Sequence, residues 1–292
     1  MDQATTTNEK PTSNETSTDL SAIPDTTSNE ATKMDSLIAA LKPHAKYKSR
    51  SHDTSKNVHI PLLESHLKAD PSSGPTIALL GDSMLERFIT TGQSPNFPAP
   101  FPSPVLLPPE DELLSCYPDE KDPRIKGVFN AGVGGDKIEN LIYRLVGDEE
   151  RGLPALLPLL APSVKVWIVF VGTNNLSPKK GLSDNYEDVL FEMGKTLLQA
   201  SPNSELRIIR LCDRKDVPIG LVTSSNQIVK KVSKRLYMEF SFPTSVGYWD
   251  SPSSRVGFDI EKHLDDHVHL NLEGYRLWMG LLFFYLKGLS VA

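Results

Sequence analysis

From residue 76 onward, short apolar runs alternate with stretches whose apolar residues repeat at helical spacing, and this alternation constrains the fold more than any other feature of the sequence. A short, largely apolar run predicts a strand that is buried on both faces, which is typical of a parallel sheet covered by helices. The runs are Thr76–Leu80, Gly127–Asn130, Val164–Val171, Leu206–Leu211 and Val246–Trp249. They predict an α/β fold, a three-layer αβα sandwich around a five-stranded parallel sheet.

The stretches between the runs predict helices that pack on this sheet. Their apolar residues recur every three or four positions and therefore line one face of a helix. These stripes are Ile138, Leu141, Ile142 and Leu145; Tyr186, Val189, Leu190, Met193 and Leu197; and Ile228, Val229, Val232 and Leu236. Ligands of an open parallel sheet bind beyond the carboxyl ends of its strands, so we look for a site among the polar residues that follow each strand.

The sequence before the first strand is polar. Residues 1–33 contain no aromatic side chain and are rich in Thr, Ser, Asn, Asp and Glu, so burial could not offset the entropy of ordering them. We predict a disordered tail over residues 1–57, in which Met34–Leu41 forms a short helix at best, and one domain over residues 58–292. The start of the chain lacks the basic and apolar segments of a secretory signal, which favours a cytoplasmic protein.

Charge and cysteine content argue against several classes of protein. The formal net charge is −6, and Lys and Arg are scattered along the chain, which does not favour a nucleic-acid partner. Cys116 and Cys212 lie outside any CxxC pattern, so we expect reduced thiols and no cysteine-rich zinc site. The apolar stretch Leu277–Leu286 is too short to span a bilayer and predicts a buried helix, so we expect no transmembrane segment.

The segment from about Thr91 to Pro123 is an insertion between the first two predicted strands. It contains nine prolines and two phenylalanines, Phe97 and Phe101. We hypothesise that it roofs a ligand pocket at the edge of the sheet. A stiff surface loop of polyproline-like conformation, or a docking peptide for an aromatic groove, would explain the same composition.

Gly81-Asp82-Ser83 follows the first predicted strand. A tight turn at this point would present the Ser83 hydroxyl as a nucleophile at the start of a helix, whose unpaired N–H groups can stabilise an oxyanion. The same serine with Glu86 three residues later also fits a capping box, which needs no catalysis to explain it.

Two more turns bring hydrogen-bond donors to the same edge of the sheet. Asn130–Asp136 reads NAGVGGD, and its glycines permit the close approach of a ligand. A dinucleotide fingerprint would need a third glycine where Lys137 stands, so nucleotide binding is not favoured. Gly172–Asn175 reads GTNN and offers a side-chain amide as an oxyanion donor, although glycine and asparagine also form turns for conformational reasons alone.

The segment His263–Leu270, which reads HLDDHVHL, lies on a predicted loop before the last helix. Asp266 and His269 stand three positions apart and can supply a base and the carboxylate that orients it. A metal site built from the histidines and aspartates of DDHVH is the alternative, although no other ligand-rich segment supports it.

Together, GDS, NAGVGGD, GTNN and DDHVHL occur in the order and sheet positions of the SGNH (GDSL-like) hydrolases, which the chain resembles over most of residues 76–286. The motifs look most like those of the catalytic subunits of intracellular platelet-activating-factor acetylhydrolase and related lipase-like esterases. The resemblance implies a flavodoxin-like order of the parallel strands, and it hints at a homodimer.

The same resemblance implies a role for each site residue. Ser83 is implied as the nucleophile, His269 as the general base and Asp266 as the residue that orients it. The implied oxyanion hole consists of the Ser83 N–H, Gly135 and Asn174, with the glycine before Gly135 as a near alternative. Many members of the family have Gly-x-Asn-Asp where this sequence has Gly-Thr-Asn-Asn, but Asn174 matches the family's oxyanion asparagine.

These roles predict a serine esterase that cleaves a carboxylic ester with a short acyl group, which we take to be acetyl, through an acyl-enzyme and without metal or organic cofactor. The substrate would be a small-molecule or lipid ester. An acyltransferase that uses the same site, or a non-enzymatic scaffold that retains the fold, is the alternative. Because His269 must be neutral to accept the Ser83 proton, we expect activity to fall as the pH drops through about 6.5 or somewhat higher.

Overall fold

The computed structural model describes residues 26–69, 74–88, 106–107, 127–240 and 246–287, and a six-stranded sheet forms its centre. The strands are β1 (Ile77–Gly81), β2 (Leu106–Leu107), β3 (Val128–Gly132), β4 (Val166–Phe170), β5 (Glu205–Ile209) and β6 (Val246–Trp249). Their order is β2-β3-β1-β4-β5-β6. All neighbouring strands are parallel except β2, which pairs antiparallel with β3 at one edge of the sheet.

The predicted five-stranded parallel sheet is confirmed, and the strand ends differ from the prediction by at most two residues. Without the short β2, the sheet has the doubly wound order in which the chain leaves the central strand β1 for one neighbour and later returns to the other. Gly81 lies in register with Gly132 and with Phe170. The turns that follow β1, β3 and β4 therefore meet at one level of the sheet.

Helices cover both faces of the sheet, as predicted for three layers. One face carries α1 (Thr26–Leu41), α3 (Ile60–Ala69), α5 (Ile138–Val146), α6 (Leu157–Leu160), α7 (Tyr186–Ala200) and α8 (Ile219–Phe240), and the other carries α4 (Ser83–Glu86), α9 (Ile260–His263) and α10 (Leu272–Lys287). In β1, Ala78 and Leu80 face the first layer, whereas Ile77 and Leu79 face the second. The strand is buried on both faces because its successive side chains alternate between two cores.

Residues 26–57 are folded, which differs from the disordered tail that we predicted for residues 1–57. The α1 helix starts eight residues before the predicted Met34–Leu41, and Leu37 and Leu41 are buried. A second helix, α2 (Ser49–Thr54), continues through a π-helical turn to α3. Hydrophobic periodicity missed this segment because polar contacts hold much of it, such as the Lys46 N–H, which donates to the Glu139 carbonyl at 2.9 Å. Residues 1–25 lie outside the described part of the chain.

The last helix, α10, is amphipathic rather than fully buried as predicted. Trp278 and Leu282 pack in the second core, which lies between the sheet and the layer of α4, α9 and α10, whereas Leu277 and Phe284 are exposed. In the ranges that the structure describes, no helix combines the length and apolarity required to cross a membrane. Cys212 is a buried free thiol, as predicted. Cys116 and the predicted insertion over Thr91–Pro123, apart from β2, lie outside the described residues.

A buried ion pair lies under the carboxyl ends of β1 and β3. Arg144 Nε donates to Asp136 Oδ2 at 3.0 Å, and both side chains are fully buried. The other two guanidinium nitrogens donate to main-chain carbonyls, Nη1 to Ala131 at 2.8 Å and Nη2 to Gly81 at 3.2 Å. One side chain therefore joins the ends of two strands to the turn that follows β3.

We expect Arg144→Met to lower the free energy of unfolding by about 3–5 kcal/mol, because it leaves the Asp136 carboxylate buried without its charged partner. Urea unfolding measures the change. The control is Lys231→Met, which breaks an exposed ion pair with Glu187 and should cost at most about 1 kcal/mol. Equal costs for the two variants would contradict the importance that we assign to the buried pair.

Candidate active site

The turn after β1 presents the Ser83 hydroxyl at the start of α4. Asp82, not Ser83, is the N-cap of this helix, since its Oδ1 accepts a hydrogen bond from the Met84 N–H at 3.0 Å. The predicted capping box between Ser83 and Glu86 is therefore not formed. Glu86 instead accepts hydrogen bonds from Arg50 Nη2 at 3.0 and 3.1 Å. The Ser83 hydroxyl is not used to cap the helix.

Close packing of α4 on β3 explains one of the glycines of NAGVGGD. A side chain at Gly132 would place its Cβ 2.3 Å from the Glu86 backbone nitrogen. Only glycine allows α4 and the end of β3 to approach this closely. The short helix that carries Ser83 is thus held directly against the turn that carries Gly134 and Gly135.

His269 bridges Ser83 and Asp266. Its Nε2 lies 2.8 Å from Ser83 Oγ, and its Nδ1 lies 2.7 Å from Asp266 Oδ2. The Asp266 Oδ1 also accepts the main-chain N–H groups of His269 and Val268, each at 2.7 Å. The structure therefore brings together the three residues that the sequence predicted as nucleophile, base and orienting carboxylate, while the neighbouring His267 side chain is exposed.

The loop that carries His269 is fixed at both ends. Leu264 and Leu270 form an antiparallel bridge and are buried in the second core. The Asp265 N–H donates to the His269 carbonyl at 2.8 Å, which closes the loop between them. These contacts explain how an exposed loop can hold the ring in one orientation.

The pKa values of Asp266 and His269 are both lowered. Burial raises the pKa of Asp266, but hydrogen bonds from the backbone and ring of His269 and from Val268 outweigh it and bring the pKa to about 2. Burial lowers the pKa of His269 below 6.5; the hydrogen bond with Asp266 opposes this shift, and the positive charges of Arg87 and Arg214 reinforce it. Our expectation of a value at or above 6.5 is therefore corrected, because it left out burial and the two arginines.

The turn after β3 lies next to the turn after β4. Gly135 adopts a φ of +76°, and the Asp136 N–H donates to the Val133 carbonyl at 3.1 Å, so the two glycines form the centre of a tight turn. Asn174 Nδ2 donates to the Asp136 carbonyl at 2.9 Å. An amide nitrogen carries two hydrogens, so this bond leaves a second N–H for a ligand. The predicted oxyanion residues Gly135 and Asn174 are thus joined through Asp136.

The contacts of Asn175 explain the departure from Gly-x-Asn-Asp. Its Oδ1 accepts the Ile138 N–H at 3.0 Å, and its Nδ2 donates to Glu139 Oε2 at 3.0 Å. An aspartate would bring a second carboxylate against Glu139. Asparagine at this position therefore holds the start of α5 without like-charge repulsion.

Sequence reasoning missed the residues of the N-terminal segment that contact the site. Lys48 Nζ donates to the Gly134 carbonyl at 3.1 Å. The Ser51 hydroxyl donates to Asp136 Oδ1, and Arg50 binds Glu86 on α4. No motif marks these residues, which stand in a polar stretch that we predicted to be disordered.

The predicted metal alternative is not formed. In the described ranges, no three His, Cys, Asp or Glu side chains are grouped so that they could hold a metal ion. Within DDHVH, His269 instead bonds Asp266 through one ring nitrogen and Ser83 through the other.

Comparisons with known proteins give structural similarities only. No protein-family model matches the sequence, and no curated protein matches it significantly. The chain is similar to the solved structure of a catalytic mutant of an acetylxylan esterase from Geobacillus stearothermophilus, at 15% identity and a TM-score of 0.49, covering 76% of this chain and 97% of that one. The chain is also similar to the structure of the psychrotrophic esterase EstA from a Pseudoalteromonas species, at 14% identity and a TM-score of 0.47. The match covers 73% of this chain and 97% of that one.

A third similar structure is a GDSL-like lipase from Bacteroides thetaiotaomicron, with 12% identity, a TM-score of 0.43 and coverage of 76% of this chain and 96% of that one. At these levels the likeness is one of overall chain course. It carries no information about activity or substrate.

The buried carboxyl group of Asp82 should make the stability of the fold depend on pH. Burial, which outweighs the hydrogen bond from the Met84 N–H, raises the pKa of Asp82 from 3.8 to about 7. The unfolded chain therefore releases this proton at lower pH than the folded chain, and stability falls as the pH rises between about 4 and about 7. Asp82→Asn keeps the N-cap but cannot ionise, so its stability relative to wild type should be greater at pH 8 than at pH 4.

Urea unfolding of both proteins at several pH values tests this, because the other carboxyl groups titrate alike in both and cancel in the difference. A difference in stability that does not change with pH would show that Asp82 does not titrate in this range.

Proposed function

We propose that this chain is a serine esterase of the SGNH (GDSL-like) type, in which Ser83 is the nucleophile, His269 the general base and Asp266 the residue that orients His269. The observation that carries the proposal is the hydrogen-bonded series from Ser83 Oγ through the His269 ring to Asp266, with distances of 2.8 and 2.7 Å. It lies at the carboxyl edge of a doubly wound sheet, where such folds bind their ligands.

The reaction would proceed in two halves. Ser83 Oγ attacks the ester carbonyl carbon while His269 Nε2 takes the hydroxyl proton, and Asp266 stabilises the imidazolium that forms. The tetrahedral intermediate then expels the alcohol, which receives that proton from His269. In the second half, His269 takes a proton from water while the water oxygen attacks the acyl carbon. The tetrahedral intermediate then collapses to the carboxylic acid, and His269 returns the proton to the departing Ser83 Oγ.

Three donors would stabilise the oxyanion: the main-chain N–H groups of Ser83 and Gly135 and the side-chain amide of Asn174. The Ser83 N–H is at the first position of α4, where a helix leaves its N–H groups unpaired. Asn174 and the Gly134-Gly135 turn approach each other through Asp136. Donors that are already held in place lower the barrier because they need no reorganisation when charge develops.

We further propose that the acyl group is short, with acetyl as the first candidate, and that the alcohol belongs to a small-molecule or lipid ester. The support is the resemblance of the motifs to acetylhydrolases and related esterases. The residues that would line an acyl pocket in the predicted insertion lie outside the described part of the chain.

Hydrolysis of p-nitrophenyl esters from acetate to decanoate tests the proposal. We expect the rate to be highest for the short chains and to fall at least about 10³-fold in Ser83→Ala, because the nucleophile is removed. Ser224→Ala is the matched control, since within the described part of the chain this exposed serine donates to the Leu221 carbonyl of its own helix, α8. Equal activity of wild type and Ser83→Ala, or loss of activity with EDTA, would refute the serine mechanism.

The lowered pKa of His269 predicts where the pH–activity profile falls on its acidic side. The base works as neutral imidazole, which is present above its folded pKa and lost as the pH falls through it. We expect the midpoint of the acidic limb of kcat/KM for p-nitrophenyl acetate to lie below pH 6.5. His267→Ala should leave this profile unchanged, and a limb centred above pH 6.5 would contradict the proposed environment of His269.

A further inference from the structure

The N-terminal segment that we expected to be disordered contacts the proposed oxyanion turn. Lys48 Nζ donates to the Gly134 carbonyl at 3.1 Å and lies 3.7 Å from Asp136 Oδ1. A Cβ added to Gly135 would lie 2.7 Å from the same ammonium nitrogen. The ammonium group therefore lies directly against the Gly134-Gly135 turn.

The peptide unit that Lys48 contacts also contains the proposed donor. The Gly134 carbonyl and the Gly135 N–H belong to one planar trans peptide, so they point in opposite directions. A cation bound to the carbonyl fixes the direction of the N–H on the other side. It also polarises the peptide, which makes that N–H a stronger donor.

Two glycines in succession make this restraint necessary. Glycine reaches many backbone conformations, and Gly135 has a φ of +76°. Neither residue has a side chain that could anchor the peptide between them. The hydrogen bond from the Asp136 N–H to the Val133 carbonyl closes the turn around this peptide, and the Lys48 bond to the Gly134 carbonyl holds the peptide itself.

The helix α2 and the residues before it are themselves well anchored to the site. Asn140 Nδ2 donates to the Lys46 carbonyl at 2.9 Å, and the Ser51 hydroxyl binds the buried Asp136 carboxylate. Arg50 binds Glu86, one helical turn after Ser83. The segment that carries Lys48 is therefore tied to both α5 and α4.

We infer that Lys48 is a positioning residue for ester hydrolysis, which orients and polarises the Gly134–Gly135 peptide so that the Gly135 N–H binds the oxyanion. This inference rests on the proposed function and adds to it a residue that lies outside the four motifs GDS, NAGVGGD, GTNN and DDHVHL. Lys48 acts through the peptide and touches neither Ser83 nor His269 in the contacts described.

Steady-state kinetics of Lys48→Met with p-nitrophenyl acetate tests the inference. The variant keeps the apolar stem, one atom shorter than in lysine, and removes the charge. The side chain is 32% exposed, so the fold should tolerate the change. We expect kcat to fall roughly 10-fold or more with KM changed less than about twofold, because the donor acts on the transition state rather than on the bound ester. Lys48→Arg, which retains a charged donor, should restore most of kcat.

The matched control is Lys56→Met. Lys56 lies in the same segment and donates to the carbonyl of Arg151 at 3.1 Å, so it makes the same kind of bond away from the site. Its loss should leave kcat unchanged, and circular dichroism should show that both variants are folded at the temperature of the assay. Unchanged kcat in Lys48→Met, or an equal loss in Lys56→Met, overturns the inference while leaving Ser83-dependent hydrolysis by the wild type intact. Absence of that hydrolysis overturns the proposed function, and the inference falls with it.

Discussion

The buried ion pair between Arg144 and Asp136 determines how the carboxyl edge of the sheet is assembled. A guanidinium group loses its hydration in the interior, so its donors must find protein acceptors. Here those acceptors are the Gly81 and Ala131 carbonyls and the Asp136 carboxylate, which belong to β1, β3 and the turn after β3. The turn in front of Ser83 and the Gly134-Gly135 turn are therefore fixed relative to each other by a side chain that lies behind both.

Asp136 also fixes the other segments that meet at this edge of the sheet. Its main-chain carbonyl accepts the Asn174 amide from the turn after β4, and its carboxylate accepts the Ser51 hydroxyl from α2. Segments far apart in the sequence thus meet on one residue. Because buried polar networks are costly unless every member is paired, these segments can form the edge only together.

The sequence predicted the parts of the fold that depend on periodicity or on local motifs. The strands were recognisable because they are apolar on both faces, as Trp167 and Ile168 show by packing in opposite cores. Ser83, Asp266 and His269 were recognisable because their motifs are short and contiguous. The folding of residues 26–57 was not predictable in this way, since Lys46 and Ser51 are held by polar partners about 85 or more residues away. The Asp82 cap was also missed, because either Asp82 or Ser83 could have capped α4 on sequence alone.

Two opposing influences set the charge state of the proposed base. A carboxylate at 2.7 Å would by itself raise the pKa of an imidazole, yet burial and the charges of Arg87 and Arg214 lower that of His269. Arg87 lies at the end of the helix that begins with Ser83, and its Nη2 is 3.8 Å from Asp266 Oδ2. The lowered pKa favours the neutral ring that the proposed proton transfer requires, while Asp266, with its pKa near 2, carries the negative charge that would stabilise an imidazolium.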